Sequence, residues 1–298
     1  MGGDFIEIVE VGGRDGLQNE AVTVATSDKI DLIGRVAAAG VPRIEVASFV
    51  HPKLVPQMAD AEAVLEGLPT ADSGYIGLVL NRRGLERALA TSIHEINFVV
   101  SASEAFNEAN QRATIAETMG EIEAMVPEAA AAGMKTTVTV AVAFGCPFEG
   151  EVAASSVVTL VERSVAAGAD EVALGDTIGV ASPHDVAGRV GLLSEVLATT
   201  PLRCHFHDTR NTGIANVVAA VEAGVKVIDA SVGGTGGCPY APNATGNVPT
   251  EDVLYTLHRM GFATGIDIEA MIATGHWLAT KLGKQLPSAL GRAGPWPA

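Results

Sequence analysis

Eight short runs of β-branched and apolar residues recur along the chain, each followed by a stretch with helical spacing, and this alternation constrains the fold more than any other feature. The spacing predicts strands over Phe5–Val9, Arg43–Ala47, Tyr75–Val79, Glu95–Val100, Thr136–Val142, Glu171–Leu174, Leu202–Phe206 and Val227–Ser231. Between the first two, Lys29–Ala39 carries Ile30, Ile33 and Val36 at helical spacing, Ser27-Asp28 offers an N-cap and Gly40 supplies the stop. Val152–Ala167 ended by Gly168, and Ile214–Ala223 ended by Gly224, repeat that grammar. Strand–helix alternation of this kind implies a parallel sheet. No dinucleotide fingerprint follows the first strand and no break in composition divides the chain, so closure into an eight-stranded α/β (TIM) barrel is expected over an open sheet. On this reading residues 1–298 form one domain, with the barrel over about residues 4–262 and an extra C-terminal helix and tail over about 263–298. Thr250–Arg259 is the last barrel helix, Ile266–Leu282 covers one end of the barrel, and the tail from Pro287 is expected to be loose.

Length alone allows two domains, but barrels routinely reach 298 residues as one, and a chain that is 48% hydrophobic and 18% charged suits a large buried core. The longest apolar runs, such as Thr137 to Phe144, are far shorter than the roughly 20 residues that cross a bilayer, so no membrane span is expected. Met1 leads to an apolar strand at Phe5 without a basic or Arg/Ser-rich leader, which sets cytoplasm as the expected location. Cys146, Cys204 and Cys238 cannot all pair and lack metal-finger spacing, so reduced thiols are expected. A net charge of −16 opposes nucleic acid and anionic lipid, both of which are bound through Lys/Arg contacts to phosphates. An anionic ligand would need local compensation, from a metal or an arginine.

In such a barrel the C-terminal ends of the strands and the loops beyond them hold the site. The run Leu202-Arg203-Cys204-His205-Phe206-His207 has period two, which puts His205 and His207 on one face. Two histidines so placed make a usable metal pair, with Asp208 as a further ligand or as a group that orients a ring. Alone, the pair is equally well read as one core histidine and one solvent-facing residue. The first strand runs into Gly12-Gly13-Arg14-Asp15-Gly16, a glycine-flanked turn presenting a guanidinium and a carboxylate at the same end of the barrel. Its ordinary reading is a solvated loop with an ion pair. After the eighth strand, Gly233 to Ala241 forms a glycine-rich loop bearing Cys238, a thiol able to move a proton above a metal, or a harmless one on a flexible connection. Asn247 follows, its amide oxygen able to face the same centre or to cap the helix beginning near Thr250.

Taken together, GGRDGLQNE at 12–20, IEVASFVHPKLVPQM at 44–58, LGDTIG at 174–179, HFHD at 205–208 and GGTGGCPYA at 233–241 closely resemble the 3-hydroxy-3-methylglutaryl-CoA lyase family. The resemblance implies an acyl-CoA substrate and a divalent cation, Mg2+ or Mn2+, held by Asp15, His205, His207 and Asn247. Carboxylate, imidazole and amide oxygen independently suit an octahedral ion with open positions. The implied substrate chelates the ion through a tertiary hydroxyl and an adjacent oxygen, and cleavage gives acetyl-CoA and acetoacetate. The chemistry requires loss of the hydroxyl proton, for which an imidazole such as His205 or a carboxylate serves as acceptor, and stabilisation of a departing enolate, for which Arg14 is placed. The resemblance further implies that Cys238 assists proton transfer to the enolate and that Glu45 is an active-site carboxylate. Gln18, Ser48, Asn110 and Glu251 fall in segments that match substrate-contacting or acidic stretches of the family, and Asp252 lies beside Glu251. Acidic residues at a helix N-terminus are also stabilised by its dipole.

The chain departs from the pattern at Arg210-Asn211-Thr212, where better-known members carry Tyr-Gly-Gln, and at Gly13, which replaces a frequent proline. An arginine beside the metal pair can contact a different carboxylate, so citramalyl-CoA, methylmalyl-CoA and longer 3-hydroxy-3-alkylglutaryl-CoA stand as alternative substrates. A Claisen-type acyltransferase condensing acetyl-CoA with a keto acid, and a non-catalytic binding protein, are the rival classes. The cysteine loop favours the lyase, and an exposed extra helix suits a homodimer.

Overall fold

In the computed structural model, which describes residues 4–237 and 246–296, eight parallel strands close into one barrel. They are β1 (Glu7–Glu10), β2 (Arg43–Ser48), β3 (Gly74–Val79), β4 (Glu95–Ser101), β5 (Lys135–Ala141), β6 (Glu171–Asp176), β7 (Leu202–Phe206) and β8 (Val227–Ala230). The ring runs β1-β8-β7-β6-β5-β4-β3-β2, so the strands carrying the Arg-Asp turn and the histidine pair are separated only by β8. Around it lie α1 (Thr26–Ala38), α2 (Ala61–Gly67), α3 (Arg82–Leu89), α4 (Glu104–Gln111), α5 (Ile115–Ala131), α6 (Ala154–Ala166), α7 (Pro183–Leu197), α8 (Gly213–Glu222) and α9 (Thr250–Arg259). The crossover from β4 to β5 holds two helices, with α4 a short addition at the C-terminal end of β4.

Strand boundaries differ from the sequence reading for local reasons. Phe5 pairs with Ala263 instead of joining the barrel, so β1 starts at Glu7. Val142 adopts φ +49, which ends β5 at Ala141 and turns the Val142 amide to donate to Thr177 Oγ1 at 2.9 Å. β6 continues to Asp176, whose carboxylate accepts from the amides of Val180 (2.9 Å) and Ala181 (3.1 Å) and so builds the following turn.

Outward-facing Ile8, Ile44, Ile96, Phe98 and Phe206 join the helical residues Leu32, Ile33, Met119, Val157 and Leu193 in the main apolar shell. Each such fully buried side chain stabilises the fold by about 1.5–3 kcal/mol. The barrel floor is different, because inward-facing positions carry charge. Arg43 bonds Glu7 (2.8 Å), Glu95 (2.6 Å) and Glu171 (2.8 Å), while fully buried Arg203 lies 3.5 Å from Glu171 and 3.4 Å from Asp229. Apolar shell and ionic floor leave the opposite end of the barrel free for chemistry.

The extra helix, α10 (Ile268–Leu282), packs against α1, α9 and the short turn Val232–Gly234 after β8. The tail from Pro287 is not loose as expected. Ser288 Oγ and the amides of Ala289 and Leu290 donate to the Asp252 carboxylate at 3.0, 2.9 and 2.7 Å, which docks α11 (Ala289–Ala293) onto α9. Among the described residues no helix is long and apolar enough to cross a membrane.

Candidate active site and metal centre

Residues Gly12–Gly16 form a single wide turn in which the Gly16 amide reaches back five residues to the Val11 carbonyl at 3.1 Å. Glycine is required at both ends of that turn. A Cβ at Gly12 would lie 2.5 Å from Glu10 Oε1, and one at Gly16 only 2.4 Å from Thr235 Oγ1. The turn aims Arg14 and Asp15 across the C-terminal mouth of the barrel. Arg14 Nε donates to Glu45 Oε2 at 2.7 Å, and Nη1 to Asp15 Oδ1 at 2.6 Å. Asn97 Nδ2 occupies the other Glu45 oxygen at 2.9 Å. Both Glu45 oxygens are thus engaged, one of them holding the Arg14 guanidinium in place.

Period two on β7 puts His205 and His207 on the same inward face, with ring centroids 5.1 Å apart. Asn247 arrives from 40 residues further along because the chain returns to the mouth, pairing Asn247 with His207 and Pro249 with Ser231. Its Nδ2 donates to Asp15 Oδ2 at 2.7 Å and to the Thr235 carbonyl at 3.0 Å. One ligand atom from each of Asp15, His205 and His207 lies within 4.8 Å of the others.

The donors fit a divalent cation. With both amide hydrogens of Asn247 spent, its buried Oδ1 has no hydrogen-bond partner among the described residues, which is the state of an oxygen kept for an ion. His205 Nδ1 is engaged by Asp229 Oδ2 at 3.1 Å, so Nε2 is the nitrogen turned to the centre, the carboxylate–histidine arrangement that orients metal ligands. Burial, with His205 adding repulsion, pushes His207 down to about 4, so the ring is neutral and able to ligate near pH 7. Although burial opposes ionisation, Arg14 and the two histidines outweigh it and hold Asp15 at about 2. For His205 burial is likewise outweighed, by the Asp229 hydrogen bond and charge, and its pKa is raised.

Above these groups opens a cavity of about 480 Å3, lined by Arg14, Asp15, Gln18, Asn110, His205 and Asp229 at polar points and by apolar residues such as Leu78 and Val99. Gln18 and Asn110, singled out from the sequence, thus line this cavity. Other residues singled out from the sequence lie elsewhere. Ser48 is fully buried at the end of β2 instead of lining the cavity. Arg210 is turned away from the metal pair, donating to the carbonyls of Ile178 (2.9 Å) and Gly179 (2.8 Å) in the turn after β6. Asp208 stands outside the Asp15, His205 and His207 cluster of the described residues and accepts from the Gly213 amide at 2.8 Å, at the start of α8. Cys238 lies outside the described residues, and Gly237 before it lines the cavity.

Glu251 also faces away, accepting from the Gly233 amide with both oxygens at 3.0 and 2.9 Å. Glu10, which the sequence reading missed, accepts from the amides of Gly12 (2.7 Å) and Val232 (2.8 Å) and from Thr250 Oγ1. These two buried carboxyls fix the base of the glycine loop against the Arg-Asp turn. Burial pushes Glu10 up to about 7 and Glu251 up to about 8, from an ordinary value of 4.5. Between roughly pH 4.5 and 8 the folded chain therefore binds more protons than the unfolded one, and these groups make stability fall as pH rises through that window. We expect Tm to decline from pH 5 to pH 9, and Glu251→Gln to flatten the profile. An equally steep profile in the variant contradicts this placement of the proton. Asp229 and Asn97 share one signal that sequence reading could have used, namely a polar residue at an inward position of an otherwise apolar strand; Glu10, on the outward face of β1 with Ile8, is an acidic residue among apolar neighbours at a strand end.

A closed parallel barrel with two histidines, one carboxylate-bearing turn and an amide oxygen gathered at its C-terminal mouth defines a metal-dependent barrel enzyme. The HMGL-like family profile matches residues 5–277, and the chain belongs to that family. Its relatives include the (R)-citramalyl-CoA lyase of Chloroflexus aurantiacus, 40% identical over 98% of this chain and 96% of the relative. The hydroxymethylglutaryl-CoA lyase YngG of Bacillus subtilis is 41% identical over 95% of each. Among solved structures, an HMG-CoA lyase from Acinetobacter baumannii in complex with coenzyme A and 3-methylmalate superposes with a TM-score of 0.93, at 40% identity, over 99% of this chain and 98% of that one. The chain is a carbon–carbon lyase that acts on an acyl-CoA substrate by a metal-dependent mechanism.

One expectation is overturned. Relatives 37–39% identical from Arabidopsis thaliana, Mus musculus, Gallus gallus and Rattus norvegicus are named mitochondrial, and one from Danio rerio cytoplasmic, so the cytoplasmic assignment does not stand. The address of such an enzyme is a separate segment read by import receptors, and barrel residues do not carry it.

Proposed function

We propose that this chain cleaves 3-hydroxy-3-methylglutaryl-CoA to acetyl-CoA and acetoacetate, using Mg2+ or Mn2+. The observation that carries the reading is Arg14 fixed beside Asp15, at the edge of the same cavity that His205 lines. When bound, the cation supplies Lewis acidity that makes a poorly acidic hydroxyl easier to ionise. Asp15, His205, His207 and the orphaned Asn247 Oδ1 would hold it. His205 has one nitrogen left once Asp229 has taken Nδ1. A nitrogen that ligates carries no proton, so any uptake of the hydroxyl proton by His205 requires the ring to exchange one task for the other.

Loss of that proton leaves an alkoxide, whose oxygen lone pair forms the new carbonyl as the carbon–carbon bond breaks and the bonding pair moves onto the thioester as an enolate. Arg14, already charged and already oriented by Glu45 and Asp15, stabilises that enolate without reorganising. Cys238, placed by sequence one residue beyond cavity-lining Gly237, returns a proton to the enolate carbon and releases acetyl-CoA. Gln18 and Asn110 contact the substrate along the wall.

A second reading has a specific support, the 40% identity to a citramalyl-CoA lyase. Citramalyl-CoA lacks one methylene of the first substrate, a difference worth only about 1–3 kcal/mol to a binding pocket. Incubation with each thioester and Mg2+ or Mn2+ tests both readings. Acetyl-CoA with acetoacetate from the glutaryl thioester, at a higher kcat/KM, is expected. Acetyl-CoA with pyruvate as the preferred outcome transfers the assignment to the second, and no acetyl-CoA from either rejects both.

A further inference from the structure

An acyl-CoA carries several negative charges into a chain whose own net charge is −16, so the approach to the site needs cationic compensation. Three basic residues line the cavity: Arg14, His205 and Arg112. Arg14 is spent on Glu45 and Asp15, and His205 is held by Asp229. The Arg112 guanidinium, exposed at the rim, has no hydrogen bond or ion pair among the described residues. Its backbone is nevertheless fixed. Arg112 caps α4 in the left-handed region, at φ +59 and ψ 33, where glycine or asparagine is usual.

Neighbouring side chains enforce that conformation. Gln111 Nε2 donates to the Val99 carbonyl at the end of β4 (2.8 Å), buried Asn107 Nδ2 to the Ala113 carbonyl (2.8 Å), and the Arg112 amide to the Glu108 carbonyl (2.9 Å). A rigid base thus presents a free cation at the mouth. A non-glycine residue held in such a conformation is a reason to look for function.

We propose that Arg112 recognises a phosphate of the CoA arm, so that it sets KM while Arg14 sets kcat. The proposal rests on the acyl-CoA reading above. The reacting hydroxyacyl group must reach Asp15 and His205 within the mouth, which leaves the phosphorylated arm to trail over the rim where Arg112 stands. A guanidinium matches phosphate oxygens with two parallel hydrogen bonds, which a bare ammonium does not.

The test compares wild type, Arg112→Gln and Arg112→Lys on the CoA thioester, its dephospho form and the pantetheine thioester, with CoA binding measured by calorimetry at low and raised salt. Arg112→Gln is expected to raise KM and the CoA Kd about tenfold with kcat essentially unchanged, and Arg112→Lys to recover part of the loss. The wild-type KM should rise more steeply with salt than that of Arg112→Gln. The gap between the two should vanish on the pantetheine thioester, which has no phosphate. A gap already lost on the dephospho thioester assigns the contact to the 3′-phosphate; one that persists there assigns it to the diphosphate. Equal KM values, a fall in kcat, or an undiminished gap on the pantetheine thioester overturn the proposal while leaving the lyase reading intact. If wild type cleaves no thioester, the lyase reading fails, and the CoA titration still decides: weaker binding by Arg112→Gln supports the contact and equal binding rejects it.

Discussion

Arg14→Met is expected to lower kcat by roughly 10²–10³-fold, the usual cost of removing one preoriented donor from a developing oxyanion. The variant should still bind metal, because Arg14 supplies no ligand atom to the cluster of Asp15, His205 and His207. A stability cost accompanies the change. Glu45 is 2% exposed, and deleting the partner of a buried pair costs about 3–5 kcal/mol when the remaining charge is left uncompensated. The double variant Arg14→Met/Glu45→Gln separates the two effects, since it removes the orphaned charge without returning the guanidinium. Its Tm should recover towards wild type while kcat stays low. A double variant that regains turnover would show that Arg14 matters only for folding, and an active Arg14→Met enzyme would remove it from the mechanism.

The second large effect concerns the ligands. Stripping the ion with a chelator should abolish cleavage, and Mn2+ or Mg2+ should restore it in wild type. His207→Ala should bind neither ion tightly and should remain inactive after metal is returned. Several kcal/mol of charge stabilisation are lost with the ion, which corresponds to a decrease on the order of 10³-fold or more. His207 contributes no ion pair to the barrel floor, so Tm in the absence of metal should change far less than activity. Full activity in chelated wild type, measured as acetyl-CoA release, would contradict metal-dependent cleavage.

The parts of the site that were legible in the sequence are those set by local geometry. Strand period alone puts His205 and His207 on one face, and the order of eight strand–helix units brings the Arg-Asp turn of β1 near them. Asn247 stood open in the sequence between facing the centre and capping a helix, and only the family resemblance singled it out as a ligand, because its arrival depends on the return of the chain across β7 and β8. Tertiary contacts decided the rest. Glu251 and Asp252 sit at a helix N-terminus, where acidic residues need no explanation, yet one grips the loop after β8 and the other docks the tail. Arg210 stands next to the metal pair in sequence, but two backbone carbonyls from another loop draw it aside. Arg112 gave no signal at all, since its meaning comes from a left-handed backbone at the lip of a cavity formed by distant strands.

Crystals grown with Mn2+ and measured for anomalous scattering test the central claim most directly. One strong peak per chain is predicted, within about 2.0–2.3 Å of an Asp15 oxygen, one nitrogen each of His205 and His207, and Asn247 Oδ1. A peak ligated by other residues, or none in a preparation that still cleaves its thioester, would contradict it.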